Sequence, residues 1–517
     1  MSTSHSPYSD LPQFPESMWR DTAKLPTFPA LDQDIQTEVA VIGAGITGIT
    51  TAYLLAREGF KVVLADMNQV LEGTTGYTTA KVTTQHGLVY DKLIKHFSEK
   101  EARLYYESNQ EGLALIRELV GKHNMDCQFK EQDAYLYADN EKDLKELRKE
   151  WKAYEKLKLP GQWVESIPLP IPVLGAIVVK NQAQFHPLEY LKALLEDFIA
   201  HGGTVYEHTT LEDQADDHNG KLALKTLEGH TITCDYAVSG SHFPFFDGGE
   251  LFFTKLHAER SYVVAGIPET SYSGGMYLSS GSNVRSIRSA EWDGQTVILY
   301  GGEGHKTGQG ICTIKHYENL EQFGGELLGL KSIPYRWSAQ DLFTLDGVPY
   351  IGPLSDKHPN VFVATGFGKW GMTNGTLAAL MIRDQIQNKE NRYTNVYTPS
   401  RFKLNPNSLK TLVVQGADTA QELISGKIDI LHRKAEELKP DEGALVRYDG
   451  KKAAAYRNSD GELYIVDATC THMGCEVEWN EGERSWDCPC HGSRFNVQGA
   501  VLEGPAIEPL PNVKKFS

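Results

Sequence analysis

Four of the seven cysteines, Cys470, Cys475, Cys488 and Cys490, fall within 21 residues, while Cys127, Cys234 and Cys312 are scattered singly. Clustering of that kind points to metal chemistry rather than packing. Two histidines sharpen it. Cys470-Thr471-His472 reads C-x-H, and fifteen residues later Cys488-Pro489-Cys490-His491 reads C-x-x-H. Two thiolates and two imidazoles on adjacent loops can hold zinc or a two-iron, two-sulfide cluster. The residue types alone leave both open.

A second chemical motif lies near the start. Gly43-Ala44-Gly45-Ile46-Thr47-Gly48 is a G-x-G-x-x-G, a string common by chance but here set between an apolar strand, Glu38–Gly43, and a helix, Ile46–Arg57. A further strand, Lys61–Asp66, ends on an acid 23 positions after Gly43. That is the context a dinucleotide site needs. Gly43 permits the tight turn, Gly45 the approach of a pyrophosphate, and Gly48 close helix–strand packing. The helix N-terminus offers N–H groups to phosphate, and Asp66 can accept from ribose hydroxyls.

The elements around these motifs suggest several domains in 517 residues. Residues 1–35 are rich in Pro and polar residues and read as an extended arm. The βαβ unit implies a parallel sheet. Helices are expected over Tyr90–Val120, over Glu141–Lys158, whose mixed charges suit a solvated face, and over His186–Ile199. From Leu256 to Tyr300 the pattern is that of an antiparallel sheet with Gly-rich turns. A buried strand, Asn360–Gly366, and a helix, Met372–Gln387, close the region 36–390. Residues 391–427 read as a linker, with a helix near Ala417–Lys439, before short strands over 428–517.

Composition bounds the function. The chain is 40% hydrophobic, so it can bury sizeable cores, and its formal charge of -17 argues against coating nucleic acid or anionic lipid. No run approaches 18 apolar residues, so no membrane-spanning helix is expected. The first residues lack the pattern of a secretory signal, so the expected place is the cytoplasm.

The region from roughly Glu38 to Asn388 resembles the FAD-dependent family of D-amino acid, sarcosine and glycine oxidases, in particular its branch acting on secondary amines such as glutamylated putrescine. The resemblance rests on GTTGYTTAK (Gly73–Lys81), on the strand ending at Gly240, and on TLDGVPYIGP followed by VATGFGKWGMTNGT (Val363–Thr376). It implies FAD, held by Gly43, Gly45, Ile46, Thr47, Gly48 and Asp66. Thr74, Thr75 and Thr79 would lie where the chain crosses pyrophosphate and flavin. Gly240, Gly366 and Gly368 would allow close backbone approach, and Met372 and Thr373 would open a helix toward the flavin carbonyl. Some relatives hold FAD through a Cys near the last motif; this chain has none there, so noncovalent FAD is expected. Arg285, Arg288, His305, Lys306, Tyr335, Arg336 and Trp337 fall where that family's pocket-facing strands and loops belong. An Arg there could clamp a carboxylate, and the Gly301–Gly308 loop with His305 and Lys306 could tune the flavin or hold an anion. The competing reading for each is a structural or surface role. Arg288, His305, Lys306 and Trp337 are the catalytic candidates.

CTHMGC and CPCHGS resemble the Rieske signature, with Gly504–Ala506 as the third, proline-bearing loop. The resemblance implies a 2Fe-2S cluster with Cys470 and Cys488 on one iron and His472 and His491 on the other. Cys475 and Cys490 match the extra cysteines of respiratory and photosynthetic Rieske proteins, where they form a disulfide joining the ligand loops. Ser493 matches a hydroxyl that donates to a bridging sulfide, and Phe495 replaces a common Tyr donor. Together these imply an intermediate to high potential within the range of roughly -150 to +300 mV. No second His pair of helical spacing exists for the mononuclear iron of a Rieske oxygenase.

The expected architecture is therefore an α/β FAD-binding Rossmann-type domain with an α+β substrate domain, followed by a small all-β Rieske domain. As a whole the chain is similar to bacterial FAD-dependent oxidoreductases carrying a C-terminal Rieske domain. The resemblance implies a dehydrogenase oxidising a C–N bond of an amine or amino acid, with electrons passing from FAD to the cluster and on to an external carrier, a protein or quinone. The alternatives are a reductase with reversed flow and an electron-transfer module without an amine substrate.

Overall fold

The computed structural model describes residues 11–218, 220–309, 313–401 and 433–513. Val39–Ile42 and Val62–Ala65 are apolar and buried throughout, as strands covered on both faces must be. They pair in parallel within a six-stranded sheet ordered 350–355, 358–365, 236–239, 39–42, 62–65, 204–206. Only the edge strand Tyr350–Ser355 runs antiparallel to its neighbour. The helix Ile46–Arg57 crosses from the first strand to the next. A methyl at Gly48 would stand 1.8 Å from the Gly43 carbonyl oxygen, so helix and strand approach this closely only because Gly48 has no side chain.

The stretch expected as one helix over Tyr90–Val120 is two, Tyr90–His96 and Glu99–Lys122. Ser98 divides them, its Oγ accepting the Glu101 N–H at 3.2 Å as an N-cap. The helix Glu141–Leu157 departs from the expected solvated face at one position. Glu150 is buried, and its carboxylate accepts the backbone N–H groups of Tyr90 and Asp91 at 2.9 Å each, capping the start of the helix Tyr90–His96.

A large mixed sheet forms the second layer, in the order 330–344, 256–268, 295–306, 285–292, 276–279, 130–138, 175–184, 81–82. Its pairings are antiparallel except Met276–Ser279 on Lys130–Ala138. A four-stranded sheet, 35–36, 231–234, 221–226 and 211–218, flanks the parallel one.

Two expected boundaries shift. The arm is not free: Trp19, in a short helix Met18–Thr22, is fully buried and its indole N–H donates to the Thr78 carbonyl at 2.7 Å. Residues 391–401, read as the start of a linker, belong to the first body. Tyr397 is buried against Ser108 at 2.7 Å, and Arg401 pairs with Asp346 at 3.0 Å. Most of the helix expected over Ala417–Lys439 lies outside the described residues; Ala435–Glu437 forms a single 3-10 turn.

The C-terminal domain is all-β, a three-stranded sheet (442–448, 451–457, 463–467) and a four-stranded one (478–480, 485–487, 494–496, 501–503). Trp486, Phe495 and Val477 form its core. Among the described residues no helix is long and apolar enough to cross a membrane.

Candidate active site and metal centre

A cavity of about 1360 Å³ lies between the parallel sheet and the large mixed sheet, and the C-terminal domain completes its wall. It exceeds the few hundred to about 1,000 Å³ common for a single small ligand. At one end the glycine turn lines it through Gly43, Gly45, Ile46 and Thr47, facing Asp66. Gly43 has φ +100°, and a Cβ there would strike the backbone of Gly240 and Ser241 at 2.7–2.8 Å. Asp66 accepts the Ala44 N–H at 2.6 Å and the Asn68 N–H at 2.8 Å. Burial raises its carboxyl to about 6 despite those donors. Gly45, the helix N-cap, has no side chain to cap the first turn; Thr75 Oγ1 takes the Ile46 N–H at 3.1 Å.

Thr74, Thr75 and Thr79 line the cavity, as do Gly240, Gly366, Gly368 and Met372. Gly48 and Thr373 do not. Gly48 is used in helix–strand packing, and the Thr373 carbonyl faces the helix 99–122, where a Cβ on Gly112 would meet it at 2.6 Å, while its hydroxyl lies 3.3 Å from His86 Nε2. The set fits a dinucleotide laid from Asp66 over the glycine turn toward Thr79 and Met372, with close backbone approach at the turn and phosphate-ready N–H groups at a helix start.

The other end is built on the face of the large sheet. Leu136, Leu278 and Ser286 line it, with Gly301 next to Thr79. His86 stacks on Trp370 with centroids 4.6 Å apart. Its ring is fixed by the Thr83 carbonyl and the Tyr105 hydroxyl, both at 2.8 Å. Desolvation holds it neutral, with its pKa down at about 3.

The catalytic candidates lie outside this cavity. Arg288 is buried behind it, donating to the carbonyls of Ala80, Phe185 and Ser289 and lying 5.2 Å from the Trp19 ring. Trp337 donates to the Tyr77 carbonyl at 2.8 Å in the core. His305 packs against both Tyr262 and His316, 2.8 Å from the Tyr262 hydroxyl. Gly301–Lys306, expected as a loop, ends the strand 295–306, and Lys306 carries its charge beside His491, so that end of the strand faces the metal loops: a Cβ on Gly308 would stand 2.5 Å from the Pro489 Cα. Arg285 pairs with Glu303 at 2.6 Å, and the Tyr335 hydroxyl donates to Asp21. Arg336 donates to the carbonyls of Pro12, Gln13 and Gly482, clasping arm, body and C-terminal domain together. Alternation along a strand sends every second side chain away from the pocket, which covers part of this set; neighbours in sequence such as Tyr335, Arg336 and Trp337 are instead held outside it by the individual contacts just given. Lys81, which ends the Gly73–Lys81 motif, does line the cavity, and only its place in that motif hinted at it.

In the C-terminal domain Cys470 and Cys488 stand thiol to thiol. The imidazoles of His472 and His491 lie beside each other, centroids 5.1 Å apart and perpendicular. His491 Nδ1 is buried without a hydrogen-bond partner among the described residues, an expense a native protein seldom bears unless the atom binds something. Cys475 and Cys490 form a disulfide, Cα atoms 6.6 Å apart, that pins the two cysteine loops. The Ser493 hydroxyl reaches Cys470 and accepts the Ala506 N–H at 3.0 Å, tying in the third loop. Phe495 is fully buried core. Two thiols and two imidazoles, one with a buried nitrogen that has no hydrogen-bond partner among the described residues, fit a two-iron cluster with mixed ligation.

The two centres adjoin. His472 and the segment Leu502–Glu508 form part of the cavity wall. Phe253, also on that wall, meets His472 and His491 edge-on at 5.5 and 5.4 Å. Docking is polar and buried: Arg260 of the large sheet reaches Glu503 at 3.3 Å, and Gln340 donates to the Gly492 carbonyl at 3.0 Å.

Comparison with known proteins agrees with both halves. The family described as FAD dependent oxidoreductase matches residues 38–385, and the Rieske [2Fe-2S] domain family matches residues 430–516. YhfW of Bacillus subtilis (strain 168), whose name describes a Rieske 2Fe-2S iron–sulfur protein, is 47% identical over 499 residues, covering 96% of this chain and 97% of its own. Gamma-glutamylputrescine oxidoreductase of Escherichia coli (strain K12) is 23% identical, over 72% of this chain and 88% of its own. The crystal structure of glycine oxidase from Geobacillus kaustophilus superposes with a TM-score of 0.60 at 18% identity, over 71% of this chain and 99% of that one. Fingerprint, cavity, ligand loops and relatives converge: the chain belongs to the FAD-dependent oxidoreductase family and carries a C-terminal Rieske [2Fe-2S] domain.

Proposed function

We propose that the protein is a dehydrogenase that oxidises the C–N bond of an amine and sends the electrons through its own Rieske cluster to an external carrier, a protein or quinone. The observation that carries this reading is the shared wall: the dinucleotide turn and His472 border one cavity. Bound FAD supplies the hydride acceptor for such chemistry, and the protein supplies position and electrostatics. Gly43, Gly45, Thr75 and Asp66 would hold the nucleotide, and Cys470, Cys488, His472 and His491 the cluster. No cysteine among the described residues lines the cavity, which supports noncovalent FAD.

Within the class, the cavity favours amines over α-amino acids. A carboxylate is best gripped by a bidentate guanidinium, and no arginine among the described residues lines the cavity. Arg285, Arg288 and Arg336 are each committed elsewhere.

The test is an anaerobic titration of both centres in one sample, followed by a panel of primary and secondary amines and amino acids. Flavin bleaching by amines, with a cluster potential more positive than that of the flavin, is expected. A cluster clearly more negative would reverse the flow, and bleaching by no amine or amino acid would remove the reading.

A further inference from the structure

Lys81 stands on the wall of the substrate end of the cavity, in the short strand Lys81–Val82 that pairs with Gln184 and Ala183. It is only partly exposed, and the cavity is what it faces. Its Nζ donates to the Tyr277 carbonyl at 2.6 Å, and this is its one hydrogen bond among the described residues. An ammonium has three N–H groups to satisfy, while a neutral amine has two and a lone pair. A site with a single acceptor and no carboxylate suits the neutral form. The charged group near enough to act on it is Arg288, a cation, whose own donors are spent on carbonyls.

Four other nitrogen bases on the cavity wall are placed less well for this, and carboxylates on that wall, among them Asp66, Glu259, Asp341 and Glu503, are each held by an N–H donor or a basic side chain. His86 uses both ring nitrogens. Lys369 pairs with Asp341 at 3.3 Å, Lys92 is exposed at the rim, and His242 lies at the dinucleotide end beside Gly240. We propose that Lys81 is the proton acceptor for the substrate's ammonium group, an inference that rests on the amine-oxidising reading above. The step is balanced within the cavity. One N–H bond of R₂CH–NH₃⁺ breaks, one forms on the Lys81 nitrogen, and the products are R₂CH–NH₂ and Lys81–NH₃⁺. The net charge is unchanged, and the substrate nitrogen gains the lone pair without which its neighbouring carbon cannot become an imine carbon. Desolvation, first, and Arg288, second, hold the Lys81 amine down at about 7, so it is poised to accept at neutral pH.

The test uses the full-length holoprotein, with Lys81→Met and Lys81→Arg. Flavin reduction by a primary amine that bleaches the wild type is followed anaerobically in single turnovers against pH. The wild-type rate is expected to rise through neutrality. Both variants should keep their flavin, lose that limb and fall by roughly 10²–10⁴-fold at pH 7, recovering only as the amine itself deprotonates. Independently of turnover, ζ-¹⁵N-lysine spectra should show one resonance titrating near neutrality that is missing from both variants. A variant rate within threefold of wild type with the limb intact overturns the proposal, as does a Lys81 resonance charged up to pH 9. If no amine bleaches the wild type, the amine reading falls and this role falls with it. If amines bleach wild type and variants alike, only the role of Lys81 falls.

Discussion

Glu503 sits between two guanidinium groups and should hold the cluster domain on the flavin domain. Its Oε2 is 3.3 Å from Arg260 of the large sheet, and its Oε1 is 3.1 Å from Arg494 of its own domain. The side chains are 15%, 1% and 9% exposed, so little water screens them. At these separations and an effective dielectric constant of about 20, each pair is worth about 5 kcal/mol of Coulomb attraction. Desolvation offsets much of that, but Glu503→Gln removes the charge and leaves Arg260 buried without its carboxylate, while Arg494 keeps Asp487 at 3.1 Å, a change that costs about 3–5 kcal/mol. Arg260→Met should cost less, because Arg494 still neutralises Glu503. The double variant should be milder than the sum of the two, with a coupling of about 1–3 kcal/mol. Urea unfolding followed by the visible circular dichroism of the cluster and by flavin fluorescence measures all four proteins. The two signals should separate in Glu503→Gln, the cluster domain leaving first. A coupling below about 0.3 kcal/mol, with coincident transitions throughout, would refute the reasoning.

Three further outcomes follow from the geometry. Gly48→Ala places a methyl 1.8 Å from the Gly43 carbonyl oxygen, so the variant should purify with little or no FAD, read from its visible absorbance; a full flavin complement would contradict the packing. Ser493→Ala removes the hydroxyl that reaches Cys470 and should lower the cluster potential by about 40 mV, about 1 kcal/mol for one electron, in film voltammetry; an unchanged potential would end that assignment. His186 is buried, its pKa lowered from 6.5 to about 4 by desolvation first and by Arg288 second. Its contribution is therefore complete above pH 6.5 and lost as pH falls through 4, about 3 kcal/mol in all, so the fall in Tm between pH 6.5 and 4 should flatten in His186→Gln.

The chemistry of this chain was legible wherever it depends on a short run of residues. The glycine turn, its strand and helix, and Asp66 are local, because a tight turn, a close backbone approach and a helix start are all set within about two dozen residues. The ligand loops are local too, since mixed thiolate and imidazole ligation demands those four side chains at loop spacing, and the disulfide partners lie within the same loops. Glu150 and Trp19 were not legible. One is a charge in a charge-rich helix and the other a Trp in a Pro-rich segment, and only packing against Tyr90 and Thr78 gives them their places.

The substrate end belongs to the tertiary structure for the same reason. Arg288, His305 and Trp337 sit on the strands that were expected to face the pocket, but the way a strand faces within the large mixed sheet depends on register and neighbours far apart in sequence. Those neighbours turned all three away and left Lys81 on the wall. The sequence by itself determined where a dinucleotide and a metal centre can sit, because such cradles are written in contiguous motifs, and the family resemblance named them as FAD and a 2Fe-2S cluster. Only the folded chain decided that His472 and the dinucleotide turn border one cavity, and that Lys81 faces its substrate end, because that needs residues more than 400 positions apart to meet.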